Sequence, residues 1–132
     1  MEDRIALQDV ILNYAAGIDD KDYDLYRNCF LENVEVHGMS EEVIIGVDAW
    51  IDFVKNALSN YTTTQHMLGP QLATVDGNRA KTRTDLRAIH YLKEDPKKIF
   101  TVWGTYRTDM VKKDGDWKIS RHELQISGTR TD

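Results

Sequence analysis

The chain has 132 residues, of which 41% are hydrophobic and 30% charged, a balance typical of one soluble globular domain. The formal net charge of −5 argues against a nucleic-acid-binding surface, because affinity for phosphates depends on clustered Lys and Arg. No apolar run approaches the roughly 20 residues that cross a bilayer, and the chain does not start like a signal peptide. We therefore expect a cytoplasmic protein with no membrane or nucleic-acid partner.

The N-terminal half is predicted to contain three helices. Apolar residues spaced three and four positions apart predict an amphipathic helix over residues 4–18, with Tyr14 on its buried stripe. Asp19 stands at the corner that follows, and residues 23–30 are predicted to form a second, short helix. The same apolar spacing predicts a third helix over residues 48–60. Asp19 is therefore expected at a junction between two helices.

The rest of the chain is predicted to form strands. These cover residues 34–36, 43–47, 62–75, 79–93, 98–111 and 116–127. Turn residues such as Asp114-Gly115 separate the last four strands, which are therefore predicted to form an antiparallel meander. Because no helix follows the meander strands to make parallel crossovers, we expect an α+β fold. Its predicted form is a curved sheet, mixed or antiparallel, with the three helices on its concave face.

One predicted strand has two chemically different faces. Small and apolar side chains share one face with a histidine, at Ala80, Thr82, Thr84, Leu86, Ala88 and His90. Charged residues such as Arg83 and Asp85 occupy the positions between them. The charged face is expected to meet water, so His90 is predicted to point to the concave side. On the next strand Gly104 and Tyr106 share a face, and the small residue leaves space for a ligand pocket.

Three residues in these elements have side chains suited to acid–base chemistry. His66 lies at the start of a predicted strand, His90 on an inner face, and Asp19 at a helix corner. Histidine titrates near neutral pH, and a carboxylate can fix its tautomer. The alternative is structural, since a buried histidine commonly bonds a backbone group and an Asp at a helix corner commonly acts as a cap. Periodicity alone leaves both interpretations open.

The same three residues lie in segments with a recognisable order. The segments are Ile18-Asp19-Asp20-Lys21-Asp22-Tyr23-Asp24, Thr64-Gln65-His66-Met67-Leu68-Gly69 and Leu86-Arg87-Ala88-Ile89-His90. In order and spacing they resemble scytalone dehydratase and other SnoaL-like members of the nuclear-transport-factor-2-like superfamily. The strand Trp103-Gly104-Thr105-Tyr106 and the hairpin at residues 114–119 extend the resemblance over most of the chain. The resemblance implies a single cone-shaped domain over residues 1–132, with Asp19, His66 and His90 lining its cavity.

The resemblance also implies a role for each candidate residue. His66 would remove a proton next to a carbonyl, Asp19 would orient it, and His90 or Tyr14 would donate a hydrogen bond to the substrate. The position of Tyr14, five residues before the Asp, is similar to that in bile-acid dehydratases. Candidates for substrate binding are His37, Tyr106, Trp103 and Arg121. Scytalone dehydratases have tyrosines where Ile18 and His37 stand here, so we expect a different substrate.

The predicted function is that of a cofactor-independent lyase of the dehydratase type, or an isomerase, acting on a small, apolar, cyclic, hydroxylated substrate. Two His and one Asp could form a facial triad, but no second closely spaced ligand pair is present, so no metal is expected. The resemblance implies a catalyst that needs no cofactor. The alternatives are a noncatalytic small-ligand-binding or oligomerisation domain and a polyketide cyclase-like enzyme with a larger opening. The outer face of the sheet is the predicted interface of a homodimer or homotrimer.

Overall fold

Three helices and six strands make up the computed structural model, which describes residues 2–132. In chain order they are α1 (Glu2–Asp19), α2 (Tyr23–Arg27), β1 (Phe30–His37), β2 (Ile44–Ile45), α3 (Val47–Leu58), β3 (Tyr61–Asp76), β4 (Arg79–Leu92), β5 (Ile99–Lys113) and β6 (Asp116–Thr131). Within the described residues, no helix combines the length and apolarity that crossing a bilayer requires.

The six strands form one mixed sheet in the order β2-β1-β6-β5-β4-β3. Strands β3 to β6 pair antiparallel as a meander, whereas β1 pairs parallel with β6 and antiparallel with β2. Helix α1 packs on β3 and β6, and α3 packs on β1. This arrangement confirms the predicted α+β fold, with three N-terminal helices against one face of a sheet.

Several element boundaries differ from those predicted, and α2 and β2 show the physical reason. Helix α2 ends at Arg27 and does not reach residue 30, because Phe30 already pairs with Ile119 of β6 and is buried there. Strand β2 covers only Ile44–Ile45, and Val47 begins α3, where its side chain is buried. In both places tertiary burial of an apolar side chain decides the boundary, and the local pattern cannot show it.

The alternation on β4 is as predicted from the sequence. Its inner face is buried at Ala80, Thr82, Thr84, Leu86 and Ala88. The residues between them are exposed, and the inner set continues to His90, which is half-buried. Most side chains of this face are small, so they do not fill the space between the sheet and the helices that cover it.

Helices α1 and α2 approach each other closely at Gly17. A Cβ atom at this position would lie 2.9 Å from both the Cβ and the backbone nitrogen of Tyr26. The absence of a side chain therefore allows Tyr26 to pack edge-on against Tyr14, with ring centroids 4.8 Å apart. This contact brings tyrosines from two helices side by side in the core.

Candidate active site

A cavity of about 130 Å³ lies between the helices and the inner face of the sheet. Apolar and aromatic side chains form most of its wall, and its polar lining residues are His66, His90, Tyr14, Tyr26, Tyr106 and Trp50. In the described chain, no Lys or Arg is among the lining residues. An apolar cavity with a few converging polar groups is the usual form of a small-molecule site.

Asp19 is not itself among the lining residues of the described chain, but it makes a tight polar contact with one of them, His66. His66 Nδ1 lies 2.7 Å from Asp19 Oδ1, and the His66 backbone N–H donates to Asp19 Oδ2 at 2.8 Å. The hydroxyl of Thr64 donates to Oδ1 at 2.9 Å. Asp19 is the last residue of α1, and the helix packs on β3, which carries Thr64 and His66. The carboxylate is thus held by one strand on both of its oxygens.

The hydrogen bonds around Asp19 keep it ionised. Partial burial on its own would raise the pKa of this carboxyl group, but the side-chain and backbone bonds from His66 outweigh it. Together with the bond from Thr64, they lower the pKa of Asp19 below its usual value of 3.8. At neutral pH the residue is therefore a carboxylate that can stabilise a positive charge on His66.

The hydrogen-bond partner of Nδ1 decides which ring nitrogen of His66 can act as a base. A carboxylate can only accept, so Nδ1 carries the proton of the neutral ring, and Nε2 carries the lone pair. The side chain of His66 is 7% exposed and lines the cavity. A general base needs this combination of an oriented ring and a lone pair that a ligand can reach.

His90 presents a second lone pair to the same cavity. Its Nδ1 lies 3.0 Å from the backbone oxygen of Phe100, and a carbonyl accepts hydrogen bonds but cannot donate them. Burial lowers the pKa of His90 despite the opposing effect of the Phe100 bond, so the ring is neutral at pH 7. Its centroid is 6.0 Å from that of His66. Neutral His90 is thus an acceptor at Nε2, whereas the donor role predicted from the sequence requires a proton there.

Tyr14 is held by a histidine whose role the sequence did not indicate. Its hydroxyl lies 3.0 Å from His122 Nε2, and His122 Nδ1 lies 3.0 Å from Thr108 Oγ1. His122 is fully buried, and burial lowers its pKa to about 3. The imidazole is therefore neutral at physiological pH and links β6 and β5 to the tyrosine of α1.

Three further polar side chains gather beside Tyr14. The rings of Tyr26 and Tyr106 lie 4.8 Å and 5.2 Å from it, and burial raises the pKa of all three tyrosines well above the usual value of 10.0. The Tyr26 hydroxyl and the Trp50 indole nitrogen are buried, and within residues 2–132 neither has a hydrogen-bond partner. These neutral groups form a second polar region of the cavity, separate from the histidine pair.

The structure does not bring every predicted substrate-binding residue to the cavity. Tyr106 lines it, but Trp103 is on the opposite face of β5, where it is 40% exposed. Arg121 likewise points away, with its guanidinium 3.8 Å from Glu123. His37, at the end of β1, lies 3.5 Å from Glu35 and is not among the lining residues of the described chain. Strand alternation explains Trp103, since its neighbours Val102 and Gly104 occupy the inner face.

The described side chains around the cavity are not arranged as a metal site. Among residues 2–132, no group of three or more His, Cys, Asp or Glu side chains is arranged to hold a metal ion. Asp19 already uses both oxygens on His66 and Thr64, and His66 uses Nδ1 on Asp19. The polar atoms that remain for a ligand are imidazole nitrogens, hydroxyls and an indole N–H.

The fold and the site together define a family. Residues 1–123 match the SnoaL-like domain family, and the chain belongs to it. An uncharacterized protein of Mycobacterium tuberculosis is 24% identical over 125 residues, which cover 92% of this chain and 83% of that protein.

Solved structures share the fold at low sequence identity. A provisionally named scytalone dehydratase from Novosphingobium aromaticivorans superposes with a TM-score of 0.88 at 24% identity, over 98% of this chain and 91% of that one. A type 3 hexachlorocyclohexane dehydrochlorinase from Novosphingobium barchaimii has a TM-score of 0.89 at 16% identity, over 99% and 90% of the two chains. The fold resemblance predicted from the sequence is therefore confirmed.

Proposed function

We propose that this SnoaL-like protein is a cofactor-independent lyase of the dehydratase type, or an isomerase, that uses Asp19 and His66 as its acid–base pair. The observation that carries the proposal is the 2.7 Å contact between His66 Nδ1 and Asp19 Oδ1 at the wall of an apolar cavity. It leaves the Nε2 lone pair for a ligand. The names of two similar structures, a dehydratase and a dehydrochlorinase, agree with elimination chemistry.

The cavity favours a neutral substrate with a single ring. Its volume of about 130 Å³ is close to that of an engineered apolar cavity of about 150 Å³ that binds benzene. The lining residues of the described chain provide no Lys or Arg for a carboxylate or phosphate. A polyketide cyclase-like function would need room for several rings, so the volume supports the single-ring lyase or isomerase instead.

In the proposed reaction, His66 Nε2 removes a proton from the carbon next to a carbonyl group. The electrons of that C–H bond form an enolate, and Asp19 stabilises the imidazolium. As the carbon–carbon double bond forms, the C–O bond to a β-hydroxyl breaks, and the leaving oxygen takes the proton from Nε2 and departs as water. An isomerase would return the proton to a different carbon. Acid–base catalysis of this kind contributes roughly 10²–10⁴-fold.

His90 is proposed to orient the leaving group. Because its Nδ1–H is engaged by Phe100, the neutral ring offers an acceptor and cannot protonate a departing hydroxyl. It can accept a hydrogen bond from that hydroxyl and hold it near His66, whose ring is 6.0 Å away. The proton that the leaving group needs then comes from His66.

The test uses 3-hydroxycyclohexanone, a single-ring β-hydroxyketone, and follows its conversion to 2-cyclohexenone and water by ultraviolet absorbance. His66→Gln and Asp19→Asn are each expected to lower the rate by about 100-fold or more, since they remove the base and the charge that stabilises its protonated form. His37→Gln, which changes a histidine outside the cavity lining, is the matched control and is expected to keep the wild-type rate.

Removal of the proton, the first step of the proposed reaction, provides a second readout. In deuterium oxide, the wild-type protein is expected to exchange the protons next to the ketone of cyclohexanone, and His66→Gln is expected to stop the exchange. A wild-type protein that catalyses neither exchange nor elimination, or a His66→Gln variant as active as wild type, would contradict the proposal. The noncatalytic ligand-binding function would then remain.

A further inference from the structure

Thr64 is a third side chain in the contact between Asp19 and His66. Its hydroxyl lies 2.9 Å from Asp19 Oδ1, the same oxygen that His66 Nδ1 approaches at 2.7 Å. Because an ionised carboxylate has no proton to give, the direction of this hydrogen bond is settled, and Thr64 is the donor. Oδ1 therefore accepts two hydrogen bonds from side chains of β3, and Oδ2 accepts one from the backbone of the same strand.

Thr64 is buried behind the wall of the cavity. It is 8% exposed and is not among the lining residues of the described chain. It lies two residues before His66 on the same face of β3, and across the β3–β4 ladder it pairs with His90, whereas His66 pairs with Ala88. Its hydroxyl donates to Asp19, so its effect on a bound substrate passes through that carboxylate.

The position of Asp19 in the fold makes the Thr64 bond important. Asp19 is the last residue of α1, where the negative end of the helix dipole disfavours a carboxylate, and the last turn of α1 contains no basic residue. Within residues 2–132, the ion-pair partner of Asp19 is His66. Partial burial raises the pKa of Asp19, and the bonds from His66 and Thr64 more than reverse this effect. Thr64 thus provides the donor to this carboxylate that does not belong to His66.

Two attachment points are needed to fix the plane of a carboxylate group. The backbone N–H of His66 holds Oδ2, and about this single bond the group could turn Oδ1 away from the imidazole. The Thr64 hydroxyl holds Oδ1 from a second point on the same strand. With both oxygens attached to β3, Oδ1 stays in front of Nδ1 whatever the state of the ring.

We propose that Thr64 is a positioning residue of the acid–base pair, which holds Asp19 Oδ1 so that the proton of neutral His66 stays on Nδ1 and the Nε2 lone pair stays available to the substrate. A ring that loses this acceptor can take the other tautomer, in which Nε2 carries the proton and cannot remove one from a substrate. The proposal rests on the proposed function for its chemistry, but the tautomer of His66 can be measured without turnover.

The experiment replaces the hydroxyl with a methyl group in Thr64→Val and restores it in Thr64→Ser, and NMR in deuterium oxide follows exchange of the protons next to the ketone of cyclohexanone. Thr64→Val is expected to lower kcat about 3- to 10-fold with little change in KM, because the hydroxyl does not contact the ligand. Thr64→Ser is expected to keep the wild-type kcat. Thr63→Val makes the same change at an exposed position of the strand and is the matched control.

A double substitution separates an effect that passes through Asp19 from a general effect on folding. In an Asp19→Asn background no charged carboxylate remains to be positioned, so adding Thr64→Val is expected to lower the residual exchange rate much less than it does in the wild-type background. An equal loss in both backgrounds would mean that the hydroxyl acts independently of Asp19, and it would overturn the proposal.

Two NMR readouts of the resting protein do not depend on turnover. Nitrogen-15 spectra are expected to show the proton of neutral His66 on Nδ1 in the wild type and a mixture of both tautomers in Thr64→Val. Carbon-13 titration is expected to show a higher pKa for Asp19 in Thr64→Val, because the change removes a donor that lowers it.

The outcomes distinguish the positioning role from the proposed function. A Thr64→Val variant with the wild-type kcat, or one with the wild-type tautomer of His66 and the wild-type pKa of Asp19, would overturn the positioning role. A wild-type protein that does not exchange cyclohexanone protons would count against the proposed function, and the two NMR readouts would then decide whether Thr64 positions Asp19 and His66.

Discussion

Asp19 receives hydrogen bonds on its two carboxylate oxygens from a single residue, His66. The ring Nδ1 reaches Oδ1 at 2.7 Å and the backbone N–H reaches Oδ2 at 2.8 Å. The backbone bond fixes the carboxylate to β3, and the ring bond fixes the imidazole to the carboxylate. These two hydrogen bonds therefore join the end of α1 to the start of β3 and also orient the candidate general base, His66. Substitutions that remove them are expected to affect both stability and activity.

Protonation of Asp19 should make the protein less stable in acid. Its hydrogen bonds lower its pKa below the value of 3.8 expected in the unfolded chain, so the contribution is complete above pH 3.8 and is lost as pH falls through the folded pKa. Urea unfolding of wild type and Asp19→Asn at pH 7 and pH 3 is expected to show a stability difference that shrinks at pH 3. A difference that is equal at both values would contradict the assignment.

His122 should also reduce stability as the pH falls, beginning at a higher pH than Asp19 does. The unfolded chain takes up a proton on this histidine near pH 6.5, whereas the folded protein resists protonation down to about pH 3. Stability therefore falls as pH drops through this window, by roughly 3–5 kcal/mol in total. A His122→Gln variant is expected to lack this component of the slope between pH 6.5 and 4. The measurement is the free energy of unfolding at closely spaced pH values, and parallel curves would contradict the prediction.

Tyr26→Phe should leave the folded protein as stable as wild type or stabilise it by up to about 1 kcal/mol. The hydroxyl that it removes is buried without a hydrogen-bond partner in the described part of the chain, and the ring contacts with Tyr14 and Phe30 remain. The matched variant Tyr14→Phe is expected to cost about 1–3 kcal/mol, because it leaves His122 without its hydrogen bond. Chemical denaturation measures both, and a loss above 1 kcal/mol in Tyr26→Phe would mean that its hydroxyl is paired.

A substitution of Trp103 tests the predicted interface on the outer face of the sheet. This residue shares one row across three strands with Arg87 and Met67, and Trp103 and Met67 are 40% and 51% exposed. We expect Trp103→Glu to weaken self-association at least 10-fold in sedimentation velocity, because it places a charge in the centre of that surface. Val43→Glu, another exposed apolar position, is the control. A wild-type protein that is monomeric at high concentration would contradict the predicted interface.

Regular patterns allowed much of the cavity to be predicted. The strict alternation from Ala80 to Ala88 fixed the inner face of β4, and this was enough to place His90 on it. Helical spacing likewise placed Tyr14 on the buried side of α1. Both cases depend on one element with an uninterrupted period, where burial of a single residue follows from burial of its neighbours.

Irregular pairing explains what the sequence could not show. On β6 the buried side changes from Trp117 and Ile119 to His122 and Leu124, because the pairing with β5 shifts between Asp109 and Met110. A shift of one residue exchanges the two faces of a strand, so the inward position of His122 depends on a bulge that has no sequence signal of its own. The unpaired state of Tyr26 and Trp50 could not be predicted either, since it depends on the exact packing of three elements.

The hydrogen bond between Tyr14 and His122 joins residues that are 108 positions apart in the chain. The parallel pairing of β1 with β6 closes a loop of similar size. Contacts of this kind form slowly, because a long loop must be closed before the bond compensates for the entropy that is lost. The β3–β4 and β4–β5 hairpins involve short loops and can form early, whereas the part of the cavity beside Tyr14 is completed only when both ends of the sequence meet. Folding of this chain is therefore expected to reach a largely formed sheet before it reaches a cavity that can bind a ligand.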